Sequence, residues 1–142
     1  MKNLLIVSLS LAAILVFSGC GSEPKSLEEL QKLSKDELKE MNKACKAVRS
    51  PATSKLGDNA SESDLEKADA SDSNLRKERE KIANDILQAR GKEKIGATPS
   101  IMGGTSLYSI AADFTNEEVS KFGNSDFAKL VECARVSKAL NK

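Results

Sequence analysis

The chain has 142 residues, with 22 Lys plus Arg against 21 Asp plus Glu, three Cys, and neither His nor Trp. Without imidazole there is no Ser-His-Asp or Cys-His nucleophile, no histidine-ligated zinc site and no side chain whose ordinary pKa suits proton shuttling near neutrality. The balanced charge, with no basic excess on any one element, argues against nucleic acid as a partner.

Met1-Lys2-Asn3 is a short, singly positive start, and Leu4 to Phe17 is an unbroken run of Leu, Ile, Val, Ala, Ser and Phe. A helix of that length rises only about 21 Å against a hydrocarbon core of roughly 30 Å, so it reads as the apolar region of an export signal and not as a comfortable span. Phe17-Ser18-Gly19-Cys20 follows at once. Small residues at the two positions before a Cys, at the end of such a leader, resemble the lipobox of bacterial lipoproteins, with Phe17 where the family more often has Leu. The resemblance implies a signal peptide over residues 1–19, cleaved before Cys20, and lipidation of Cys20. The mature protein would then be held to the membrane by its acyl chains without spanning it. Gly21 after the lipidated Cys implies, by the same family analogy, the outer membrane, with the domain facing the periplasm. Residues 20–25 would form a short polar tether. The alternatives are an ordinary secretory leader in which Cys20 is incidental, or an uncleaved helical anchor.

Beyond Gly19, Leu, Ile, Val and Phe make up only 23 of 123 residues, which is little core material for a domain covering residues 26–142. Its pattern predicts a small all-α domain. Ser26-Leu27-Glu28-Glu29 and Ser34-Lys35-Asp36-Glu37 are both capping boxes, so a turn of helix near 26–33 and a longer helix from Lys35 to about Arg49 are expected, the second stopped before Pro51. Leu27, Leu30, Leu38, Met41, Cys45 and Val48 share a helical period, which sets Cys45 on the apolar face.

Residues 50–74 are rich in Ser, Asp, Ala and Glu, with Leu56 and Leu65 the only large apolar side chains and a net charge of −5 between Asp58 and Asp72. Such a composition predicts a flexible, solvated linker. Leu75 to Arg90 returns to helix on a narrow stripe of Leu75, Ile82, Ile86 and Ala89, with Arg76 to Lys81 as a solvated charged face and Gly91 as its stop. Within Ile95 to Asp113 the apolar cluster around Leu107, Tyr108 and Ile110 fits either a short buried helix or an edge strand. Thr115 opens another capped helix ending near Phe122, and Asn124 or Ser125 caps a last helix running to about Leu140. On that helix Phe127, Leu130, Val131, Cys133 and Ala134 fall on one broad arc.

With Cys20 assigned to lipid, an exported chain leaves Cys45 and Cys133 as a disulfide pair on two inward faces; the alternative is two buried free thiols acting as small hydrophobes. No cofactor or metal pattern is present. Asp58 to Asp64 lacks the spacing and Gly of a calcium loop, Ser22-Glu23-Pro24-Lys25 lacks the companion motifs of penicillin-binding enzymes, and Gly103-Gly104-Thr105-Ser106 lacks the Lys of a phosphate loop.

These features describe a non-enzymatic, membrane-anchored envelope lipoprotein that works as a protein-interaction or structural factor. The stretch from Ser34 to Lys46 is weakly similar to the small exclusion lipoproteins carried by conjugative plasmids, which are typically shorter and have a second Cys soon after the first. The alternative is a tethered binding module in which Ile101 to Phe114 lines a pocket for a small ligand or lipid.

Overall fold

The computed structural model describes residues 23–92 and 107–142. Each expected start signal is used. Ser26, Ser34 and Thr115 accept a hydrogen bond from the amide three residues on, while Glu29, Glu37 and Glu118 reach back to the cap amide, opening α1 (Leu27–Gln31), α2 (Lys35–Arg49) and α6 (Asn116–Phe122). Asn124 caps α7 (Ser125–Leu140) through Phe127 N at 2.8 Å. Three further helices, α3 (Pro51–Ser54), α4 (Glu62–Ala89) and α5 (Leu107–Ala111), complete a set of seven, with no strand among the described residues.

α7 is the central element. Phe127, Leu130, Val131, Cys133, Ala134, Arg135 and Val136 are all buried, covering most of its circumference, as expected for a helix enclosed by others. One side meets Ala83 and Ile86 of α4, Leu107 and Ala111 of α5, Phe114 and Val119. The other side places Val136 against Leu30 of α1 and Leu38 of α2. Between these two apolar clusters runs the Cys45–Cys133 disulfide, joining α2 to α7 with both residues fully buried and their Cα atoms 5.6 Å apart.

The expected linker is where the sequence reading fails. Pro51 starts α3 at its first position, and α4 begins at Glu62, well before Leu75, and continues unbroken for 28 residues. Ser61 caps it, Glu62 and Asp64 sit at the positive end of the helix dipole, and neither Gly nor Pro interrupts it before Gly91. A tertiary contact completes the account. Ser50 makes no side-chain cap for α3, and Asp72 of α4 supplies one instead, accepting from Ala52 N at 2.9 Å, Thr53 N at 3.0 Å and Thr53 Oγ1 at 2.6 Å. An acid that looks like linker composition is thus the group that holds α3 and α4 together. Gly91 ends α4 at φ +71°, with Gly91 N bonded to Gln88 O and Lys92 N to Leu87 O, a left-handed stop that favours glycine. Of the segment open between helix and edge strand, Leu107–Ala111 is helical, and residues 95–106 lie outside the described residues.

Candidate functional site: a clamped N-terminus and an arginine-rimmed cleft

Two polar arrangements stand out, each built on a buried arginine. The first fastens the start of the domain. Pro24 and Lys25 lie against α7, where Arg135, 5% exposed, donates to Lys25 O at 2.9 Å, Pro24 O at 3.3 Å and Asn116 Oδ1 at 2.8 Å. The same guanidinium reaches Ala112 O and Phe114 O in the turn between α5 and α6. Asn116 Nδ2 adds a second bond to Pro24 O at 3.1 Å. Only arginine presents five donors in a planar fork that can serve this ring of acceptors at once. Burial lowers the Arg135 pKa from its very high ordinary value, with the Glu132 and Glu29 carboxylates opposing. Burial also raises the Glu132 carboxyl, against the pull of Lys25.

The second arrangement is a cleft of about 530 Å³ between the end of α2, the middle of α4 and α5, lined by Arg49, Ser50, Asp69, Asp72, Arg76, Arg79, Tyr108 and the apolar Leu107 and Leu130 among others. Arg79 is buried beneath it. Its Nε and Nη2 hold Asp126 at 2.9 and 2.8 Å, while Nη2 and Nη1 donate to Val48 O and Arg49 O at 2.7 and 3.3 Å. One side chain of α4 therefore satisfies terminal carbonyls of α2 and grips the first turn of α7. Above it, the Arg49 guanidinium lies 4.1 Å from the Tyr108 ring centre and donates to the Tyr108 hydroxyl at 2.7 Å. Burial raises the Tyr108 pKa, with Arg49 acting in the opposite direction. At Asp72, hydrogen bonds from Thr53 and Ala52 outweigh the upward push of burial and leave the carboxyl below its usual range. Among the described residues no buried side-chain nitrogen or oxygen lacks a partner, and no group of acids and cysteines is placed to hold a metal ion.

Of the residues singled out in the sequence, Cys45 and Cys133 are brought together as a bond, whereas Cys20, Ser22 and Gly103 to Ser106 lie outside the described residues. The proposed pocket wall from Ile101 to Phe114 divides: Leu107 and Tyr108 line the cleft, while Ala111, Ala112 and Phe114 are core. Arg79 corrects the reading of Arg76 to Lys81 as a wholly solvated face, since it is the member of that run which is buried. A signal was present. Arg79 stands four residues from both Leu75 and Ala83 and seven from Ile86, on the inward stripe of its own helix. Arg135 carried one too, as the cation inside Leu130 to Val136, a run that packs on both sides.

No protein-family model, no curated protein and no solved structure matches this chain.

Proposed function

We propose that the chain is an export-directed lipoprotein, anchored through Cys20 to the envelope membrane, whose disulfide-stapled helical domain acts by contacting another envelope protein. The observation that carries this reading is the Cys45–Cys133 bond: a buried cross-link between the second and last helices belongs to an oxidising compartment, which is where a leader ending in Ser18-Gly19-Cys20 would deliver the chain. No helix of the described residues is long and apolar enough to cross a membrane. The domain's buried arginines act as structural joints between helices, which suits a rigid body that presents surfaces. Outer-membrane placement facing the periplasm is the form of anchoring favoured by Gly21. Feeding labelled fatty acid to expressing cells should label the parent protein and leave Cys20→Ser unlabelled; label retained at parental level in the variant would overturn the anchoring.

The cleft supports a second reading, a tethered module for a small ligand, because a polar rim of Arg49 and Tyr108 over Leu107 and Leu130 suits an anionic group on an apolar body. Cross-linking in intact envelopes that captures one reproducible protein partner favours the first reading. Thermal stabilisation by small carboxylates, lost in Arg49→Ala and without any captured partner, favours the second.

A further inference from the structure

The clamp sets how far the domain can stand from its anchor. Pro24 is buried and held by Arg135 and Asn116, so only three residues, Gly21-Ser22-Glu23, separate it from the residue proposed to carry lipid. Fully extended, that connection spans at most about 14 Å. Residues next to Pro24 must therefore lie close to lipid, while the tether alone leaves the rest of the domain free to lie along the bilayer or to stand away from it. Asn116 opens α6, and the neighbouring Glu118 is paired with Arg90 at the end of α4, so the C-terminal end of α4 shares this end of the molecule. α4 then runs away for 28 residues, roughly 42 Å. Its far portion and the turn before it, Asp58 to Asp72, carry six acids and one Lys.

Charge decides how that long helix lies. An anionic leaflet attracts each nearby basic residue by about 1 kcal/mol and by the same field repels acids within a Debye length. Laying α4 flat on the bilayer would bring the net charge of −5 carried by residues 58–72 against lipid of the same sign, while the clamped end carries both signs, with Glu23, Asp113 and Glu117 near Lys25 and Lys138. We infer that the domain stands on an anionic bilayer by its clamped end, with the acidic arm of α4 held farthest from the lipid; this rests on the lipidation of Cys20 proposed above.

The lipidated, mature protein is reconstituted in vesicles of phosphatidylethanolamine and phosphatidylglycerol containing a headgroup-labelled energy acceptor. A donor dye is attached through Glu117→Cys beside the clamp or through Glu62→Cys at the arm. Transfer should be several-fold greater from position 117 than from position 62. Inserting a flexible Gly-Ser segment of about 20 residues between Ser22 and Glu23, with a mean reach of roughly 25 Å, should reduce the difference. Fatty-acid labelling is read on the same samples. Normal labelling with equal transfer from both positions, or with greater transfer from position 62, overturns the orientation alone. Absent labelling overturns the anchoring and the orientation with it.

Discussion

Replacing Arg135 by Met keeps most of the side-chain volume and removes all five of its hydrogen bonds. Pro24 O keeps its bond from Asn116, so the acceptors left stranded are chiefly the carbonyls of Ala112, Phe114 and Lys25. A stranded buried acceptor costs about 1–3 kcal/mol, less where water can enter, as it can beside the half-exposed Lys25. Against this, Met avoids the desolvation of a buried cation, which is the cause of the lowered Arg135 pKa. The balance is a loss of about 2–4 kcal/mol, a large part of the roughly 5–15 kcal/mol typical of a domain. Arg135→Lys distinguishes the fork from the charge. An ammonium keeps the desolvation cost but cannot reach acceptors on both the Pro24–Lys25 strand and the Ala112–Phe114 turn, so Lys should be no better than Met. Urea unfolding of the oxidised protein measures both variants, and amide exchange at Lys25 and Ser26 reports whether the first residues detach. A Met variant within about 1 kcal/mol of the parent, or a Lys variant equal to it, would refute the clamp.

Three other outcomes are expected. Cys45→Ala with Cys133→Ala opens a loop with 87 residues between the two positions, and chain-entropy reasoning gives a loss of up to roughly 4–5 kcal/mol, read as a lower urea midpoint that matches the reduced parent; a midpoint matching the oxidised parent contradicts it. Arg79→Met should cost about 1–3 kcal/mol, chiefly by leaving Val48 O and Arg49 O without their donor, since the half-exposed Asp126 carboxylate can be hydrated, whereas Arg76→Met, an exposed neighbour paired with Glu80, should cost less than about 0.5 kcal/mol; equal costs would mean that burial at position 79 is irrelevant. Stability should pass through a maximum near the ordinary carboxylate range. The raised Glu132 carboxyl makes stability fall as pH rises from the ordinary carboxylate range through its folded pKa, while Glu118, lowered by its bond to Arg90, and Asp72, lowered by Thr53 and Ala52, contribute stability that is lost as pH falls through their folded values. In denaturation midpoints followed across pH, Glu132→Gln should flatten the decline above the maximum and leave the acid limb intact.

What local sequence determined is what local physics governs. The helix starts at Ser26, Ser34, Thr115 and Asn124 were legible because a cap needs only a side chain and an amide three residues away. The stop at Gly91 was legible because a left-handed residue is a property of one position. The pairing of Cys45 with Cys133 followed from helical periodicity and from there being no third thiol once Cys20 was assigned to lipid. The all-α class followed from the same periods. The tertiary structure alone decided the rest. Asp72 is an acid in a Ser-rich stretch until α3 is brought beside it, when it becomes the cap that Ser50 does not supply. Arg79 and Arg135 stand at inward helical positions that the sequence displays, but a buried charge is tolerable only where carbonyls and carboxylates from other helices converge on it, and that convergence exists only after the chain has folded.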